Sequence, residues 1–268
     1  MRLCTLGMGT WNMGNSKVKE AEEIEALHTG IELGMQVVDT AEMYGNGRSE
    51  RLVGQAIRGI REQVFLISKV LPEHANREGT KVACEGSLKR LGTDYLDLYL
   101  LHWAGPYPIR ETIDGMLELQ QEGKIRHWGV SNMDVDMMEE FFALEGGETC
   151  AADEVLYNLT RRGVEFDLLP WCEAHQLPLI AYSPIEQGRL LNHPVLRKIA
   201  LRQEATPSQV ALAWVLRRPG VLAIPKASTP QHVRENFESL SIELTKKELE
   251  ELDAVFPAPV RKHMLEVI

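Results

Sequence analysis

Cysteine is scarce in this chain: Cys4, Cys84, Cys150 and Cys172 are the only four in 268 residues. They stand far apart and form no Cys-x-x-Cys, so a disulfide or zinc framework is not expected. Reduced thiols in the cytoplasm are. The eight histidines form no His-x-His and no His-Glu-x-x-His, which argues against a zinc hydrolase and leaves no metal site to expect. Long apolar runs are missing too. Nothing reaches the 18 or so residues of a membrane span, and Met1–Leu6 has no apolar signal core. Positive charge is in deficit, with 29 Lys and Arg against 39 Asp and Glu and a net charge of −10. Such a surface disfavours nucleic acid and anionic membranes as partners and suits a small-molecule role. An anionic ligand would have to be held by a local cluster of donors. No Pro- or Gly-rich linker and no shift of composition divides the chain, so residues 1–268 are expected to be one domain.

What the chain does have is alternation. Short apolar runs fall at Leu6–Gly9, Gln36–Asp39, Val64–Lys69, Leu96–Leu101, Ile125–Val130, Glu154–Tyr157, Leu179–Tyr182 and Leu222–Pro225. The segments between them carry helical spacing, as in Val18–Gly34 and Glu111–Glu122. Strands alternating with helices imply parallel strands and right-handed crossovers. Eight such units in 268 residues, 44% of them hydrophobic, predict an α/β fold of the closed (β/α)8, or TIM-barrel, type. Two further helices are expected, around Asn192–Ala200 and at Lys246–Val255, the second opened by a Thr245…Glu248 capping box. Phe256–Ile268 is expected to run as a loop over the barrel mouth, and its shortness suggests an open pocket.

The chemistry lies at the ends of the apolar runs, where parallel α/β folds assemble their sites. Asp39 ends the second, Lys69 the third and His102 follows the fourth, while Tyr44 stands five residues beyond Asp39. An acid, an amine, an imidazole and a phenol make a proton-transfer set. Lys69 is expected to lower the pKa of Tyr44 by stabilising its phenolate. Asp39 would hold Lys69, His102 would orient a substrate oxygen, and Tyr44 would give a proton to a carbonyl as hydride arrives at carbon.

These residues sit within longer segments: Gly9-Thr10-Trp11, Asp39-Thr40-Ala41-Glu42-Met43-Tyr44-Gly45-Asn46, Ser68-Lys69-Val70, Leu96–Trp103, Gly123–Arg126, Gly129-Val130-Ser131-Asn132, Ala181-Tyr182-Ser183-Pro184 and Ile224-Pro225-Lys226. In this collinear order the chain resembles the aldo-keto reductases, and several segments are similar to the bacterial reductases of methylglyoxal and other small aldehydes. The resemblance implies a barrel that binds NADP(H) without a Rossmann fold, which fits the lack of a Gly-x-Gly-x-x-Gly after the first strand. It makes Asp39, Tyr44, Lys69 and His102 the catalytic residues, with Tyr44 the acid in reduction and the base in oxidation.

The resemblance also implies cofactor contacts. Gly9, Thr10 and Trp11 lie at the first strand end. Ser131 and Asn132 would hold the nicotinamide carboxamide, with Glu154 where the family usually has glutamine. A carboxylate accepts from the amide NH2 but cannot donate to its carbonyl. Tyr182 would stack on the nicotinamide, and Ser183 and Ile185 would fold over the pyrophosphate. Lys226, Ala227, Ser228, His232, Glu235 and Asn236 would surround the 2′-phosphate end. Here Ala227 replaces the usual serine and His232 the usual arginine, a weaker phosphate partner, with Arg234 about 200° further round the helix. Trp11 and Trp103 would wall the substrate pocket, with Met13 and Met43 beside them. Glu42 would disfavour acidic substrates if it faced the pocket. The family's hairpin at the barrel bottom is short or absent here.

The expected reaction is NADP(H)-dependent reduction of small aldehydes or ketones, methylglyoxal and aromatic aldehydes among them, by a monomeric enzyme. Two other readings stay open at this point: a catalytically weak nicotinamide-binding regulatory subunit, and a lyase using Lys69 as a Schiff base.

Overall fold

The computed structural model describes residues 4–268. Eight parallel strands follow one another round a barrel in chain order. They are β1 (Met8–Gly9), β2 (Val37–Asp39), β3 (Phe65–Val70), β4 (Leu96–Leu101), β5 (Ile125–Ser131), β6 (Asp153–Leu156), β7 (Leu179–Tyr182) and β8 (Val221–Ala223). Every expected apolar run becomes a strand with its ends slightly moved. Bridges from Leu6 to Ala223 and from Gly9 to Lys226 close the ring. Gly9 is needed at this seam, because a Cβ there would stand 2.7 Å from the Ile224 carbonyl oxygen. Residues 1–3 lie outside the described residues; from Cys4 the chain runs into β1 with no hairpin between.

The helices are α1 (Glu20–Leu33), α2 (Arg48–Ala56), α3 (Arg77–Leu91), α4 (Ile109–Gln121), α5 (Val135–Phe142), α6 (Leu168–Ala174), α7 (Pro194–Arg202), α8 (Pro207–Leu216), α9 (Pro230–Glu238) and α10 (Lys246–Val255). The two extra helices expected from sequence are α7 and α10. Thr245 and Glu248 form the expected capping box, each satisfying the other's backbone N–H at the start of α10. Among the described residues, no helix is long and apolar enough to cross a membrane.

The apolar residues divide into two cores. One lies between strands and helices. The other fills the barrel and includes Val37, Ile67, Leu100, Ala152, Ile180 and Ile224. Side chains two residues apart on a strand share a face. Two positions above those plugs stand Asp39, Lys69, His102, Glu154, Tyr182 and Lys226. The period that packs the barrel interior therefore also aims these polar side chains into its carboxyl-end mouth.

Candidate active site

Lys69 is the centre of the site. Its side chain is fully buried, and its Nζ lies 2.5 Å from Asp39 Oδ2, 3.1 Å from the Thr40 carbonyl oxygen and 3.4 Å from Tyr44 Oη. Glu154 Oε1 is also 3.4 Å away. Buried hydroxyls fix this floor from behind. Ser49 Oγ donates to the Thr10 carbonyl, and Thr10 Oγ1 donates to the Asp39 carbonyl at 2.8 Å. Ser68 Oγ donates to buried Glu50, which pairs with Arg90. Tyr44 swings over Lys69 because the loop turns sharply after it. Gly45, Asn46 and Gly47 adopt φ of 58°, 53° and 77° in succession, a left-handed run that glycine and asparagine tolerate.

Burial and charge act together on the titrating groups. Burial lowers the affinity of His102 for a proton, the Lys69 charge adds to this, and its pKa falls to about 3. The imidazole is therefore neutral at ordinary pH, and its Nδ1 is buried without a partner. Its ring lies edge-on to Tyr44, centroids 5.8 Å apart, and against Trp103 at 4.7 Å. Lys69 stays charged: burial opposes this, but the Asp39 carboxylate at 2.5 Å counters it, and the pKa lies above the usual lysine range. An ammonium so held offers no free amine, which removes the support for a Schiff-base lyase. Tyr44 corrects an expectation. Lys69 does pull its pKa down, but burial is the larger effect and the phenol sits above its usual range.

Above this floor lies a cavity of about 950 Å³, lined by Asp39, Tyr44, His102 and Glu154 at its base. That is near the upper end of ligand pockets, roughly 300–1,000 Å³. Gly9, Trp11, Ser131, Asn132, Tyr182, Ser183, Ile185 and Lys226 all reach its wall, as do Met43 and Trp103. Tyr182 Oη donates to Asn132 Oδ1 at 2.9 Å, and Asn132 Nδ2 donates to the His102 carbonyl at 3.1 Å. Lys69 sits beneath the wall, and Thr10 is spent on its buried hydrogen bond.

Other expected residues lie further out. Lys226 is exposed and its Nζ donates to Ser228 Oγ at 3.0 Å. Ala227 packs against the outer core. His232 is exposed on the first turn of α9, which Thr229 caps, and Glu235 accepts from Gln231 while Asn236 is buried. None of Ala227, Ser228, His232, Glu235 and Asn236 is part of the cavity wall. Met13 is placed differently from expectation, and the condition set for Glu42 is not met. Met13 is a core residue, 1% exposed. Glu42 turns away to accept from the Leu71 N–H at 2.8 Å and to meet His74 Nδ1 at 3.1 Å, so it puts no charge into the pocket.

Sequence reasoning missed part of the wall. Asn12, Gln187 and Gly188 belong to it, and so do Val267 and Ile268 from the tail after α10. Gly188 closes a segment in which Ser183, Glu186 and Gln187 also adopt positive φ, and only its glycine hints at that turn. The tail is fixed by Arg161 to Glu266 at 2.5 Å and by Lys262 to Asp136 and Asp167. Nothing local in the sequence signals those long-range pairs. The expected loop over the mouth does form and adds wall to the pocket.

The residues fit a dinucleotide. Glu154 Oε2 is buried and has no partner in the protein, so the cavity base holds an unmet polar atom beside Ser131 and Asn132. At the other end, the exposed Lys226 ammonium, Ser228 and the N-terminal amides of α9 offer donors for a phosphate. Among the described residues, no group of three or more His, Cys, Asp or Glu is placed to hold a metal ion.

Comparison with known proteins gives the family. Residues 5–256 match the aldo/keto reductase family. Methylglyoxal reductase YeaE of Escherichia coli (strain K12) is 49% identical, over 99% of this chain and 95% of the other. Glyoxal reductase of Bacillus subtilis (strain 168) is 35% identical over 93% of this chain and 87% of that protein. A crystal structure of an aldo-keto reductase from Klebsiella pneumoniae in complex with NADPH superposes with a TM-score of 0.98, at 49% identity, covering 99% of this chain and 95% of that one. The chain belongs to the aldo/keto reductase family, and with it to the oxidoreductases.

Proposed function

We propose that this chain is a single-domain reductase of small carbonyl compounds that uses NADPH, with 2-oxoaldehydes such as methylglyoxal as its substrate class. The observation that carries the reading is the buried Lys69 ammonium, held by Asp39 and set 3.4 Å from Tyr44 Oη at the base of a cavity with aromatic walls. The names and bound nucleotide of its relatives support the substrate class and the cofactor.

The nicotinamide supplies hydride to the carbonyl carbon. Tyr44 supplies the proton to the oxygen; its raised pKa keeps it protonated until charge develops on that oxygen. Lys69 is already in place as a cation when the phenolate forms and lowers its energy without reorganising. His102, neutral, can hydrogen-bond the carbonyl oxygen and set its angle without competing as an acid. Trp11, Met43 and Trp103 exclude water and favour a compact, uncharged substrate. Ser131, Asn132 and Glu154 hold the carboxamide, Tyr182 stacks on the ring, and Ser183 with Ile185 covers the pyrophosphate. Lys226, Ser228 and His232 hold the 2′-phosphate, with Glu235 and Asn236 behind them on α9.

The test is NADPH consumption with methylglyoxal by the native chain and Tyr44→Phe. Loss of the acid is expected to lower kcat about 10²- to 10⁴-fold while NADPH still binds. A variant that keeps native kcat would remove Tyr44 from the role.

A further inference from the structure

We propose that Glu154 is the proton reserve of this site: a neutral carboxylic acid while the nicotinamide is reduced, and a carboxylate once it is oxidised. The proposal rests on the reductase reading above and goes beyond a carboxamide contact.

The geometry makes the case. Lys69 is one buried cation facing two buried carboxyl groups, Asp39 at 2.5 Å and Glu154 at 3.4 Å. Both side chains are about 2% exposed. Two carboxylates on one ammonium would leave a net negative charge out of water, and an uncompensated buried charge is costly. One of the pair must hold a proton, and the distances say which. Asp39 has the short contact, so it is the ion partner, and the proton rests on Glu154. Burial and the Asp39 charge both raise the affinity of Glu154 for that proton, against a smaller pull from Lys69. Glu154 and Asp39 also lie within hydrogen-bond reach of each other, a contact that needs a proton on one of them, and Glu154 Oε2 is otherwise buried without a partner. A neutral acid also replaces the donor that glutamine would give the carboxamide oxygen.

The titratable groups around Glu154 come from three strands and one loop: Asp39 from β2, Lys69 from β3, Tyr182 from β7 and Tyr44 from the loop after β2. His102 shares the cavity and stays neutral. Ser131 and Asn132 on the β5 side do not titrate. Within this set the two carboxyls facing Lys69 hold one proton between them, and the short Lys69 contact of Asp39 leaves it on Glu154.

Hydride transfer changes the charge balance. The nicotinamide gains a positive charge when its hydride, with the electron pair, moves to the carbonyl carbon. Tyr44 gives its proton to the carbonyl oxygen. Lys69 Nζ stands 3.4 Å from both Tyr44 Oη and Glu154 Oε1. It can pass one N–H proton to the phenolate while Glu154, its carboxyl turned to bring the O–H round to Nζ, restores it. The Glu154 O–H and one Lys69 N–H break; a new Lys69 N–H and the Tyr44 O–H form. Tyr44 and Lys69 end as they began, and the new Glu154 carboxylate matches the new positive ring. The site is uncharged overall before and after, which a glutamine at this position could not arrange.

The proposal predicts a proton count. Apo-protein is titrated with NADP+ and with NADPH in weakly buffered solution near neutral pH, and released protons are read with an indicator dye. The 2′-phosphate is common to both nucleotides, so the difference isolates the ring. NADP+ is expected to release close to one proton more than NADPH. Correspondingly, the ratio of the NADPH to the NADP+ Kd rises by up to tenfold per pH unit across this window. In Glu154→Gln the difference in protons disappears and the Kd ratio is flat with pH. The native protein gives a second reading that needs no variant: the infrared difference between its two complexes should show a protonated carboxyl stretch with NADPH that is lost with NADP+. Equal proton release for the two nucleotides, or an unchanged difference in Glu154→Gln, overturns the proposal and leaves the reductase reading standing. If neither nucleotide binds, both fall.

Discussion

Asp153 and Glu154 are neighbours on β6 with opposite fates. Glu154 faces the barrel mouth. Asp153 faces the helices, fully buried, and neither of its side-chain oxygens has a partner. Burial pushes its pKa from 3.8 up to about 8. Below the unfolded value both states hold the proton, so Asp153 then costs nothing through ionisation. As pH rises the unfolded chain ionises first, and stability is lost progressively until the folded carboxyl also ionises near 8. Asp153→Asn should therefore leave Tm nearly unchanged at pH 4 and raise it at pH 8, the gain growing over that range as the ionisation cost of Asp153 does. Thermal melts of both proteins across that range decide it. A gain at pH 4 equal to that at pH 8 would show that ionisation is not the cause. Asp153 was passed over in the sequence reading because strand alternation tells which side a residue faces, not whether the other side offers it a partner.

The segment after β7 and the tail after α10 act as one element. Ser183, Glu186 and Gln187 have φ of 46°, 50° and 53°, and left-handed backbone without glycine persists only when its surroundings hold it. Asn158 Nδ2 donates to the Ser183 carbonyl at 2.9 Å and to Glu186 Oε2 at 2.8 Å. Arg161 pairs with Glu186 on the segment and with Glu266 on the tail. Arg161 is partly exposed, so each pair is worth about 0.2–1 kcal/mol and global stability should hardly move. The local effect is larger, because both walls of the cavity lose one anchor. Arg161→Ala should raise the NADPH Kd by about two- to tenfold and speed proteolysis of both segments; Glu266→Gln should loosen the tail alone. A normal Kd in Arg161→Ala would separate the two segments. The strands were legible because apolar runs between polar helices repeat with little ambiguity. The polar residues above them were legible because the same period of two carries Val37 to Asp39 and Ile67 to Lys69. Arg161 and Glu266 were not, since 105 residues separate them and no local pattern links a barrel loop to a tail. The direction of Glu42 was hidden for a similar reason: its partner, the Leu71 N–H, lies on another unit of the barrel.

At the scale of the whole molecule, the barrel is unevenly closed. β4 and β5 pair from Leu96–Ile125 to Leu101–Val130, whereas β1 meets β2 at only Met8 and Gly9. The return from β8 rests on the bridges at Leu6 and Gly9 and on a 3.2 Å hydrogen bond from the Gly9 N–H to the Pro225 carbonyl. Local opening follows the weakest cooperative unit, so amides of β1 and β8 should exchange faster than those of β3, β4 and β5. Gly9, Ile224 and Lys226 from this seam line the same cavity as Ser131 and Glu154 across the barrel. A dinucleotide lying along that cavity would tie the seam to the stable side. At 100 times its Kd a ligand adds about 2.7 kcal/mol to the folded state, and that stabilisation should be concentrated in the slowing of β1 and β8 exchange. Hydrogen exchange with and without NADPH tests this directly. Protection spread evenly over all eight strands would mean that the seam opens only with global unfolding, and that β1, short as it is, is held by its helices and not by its pairing.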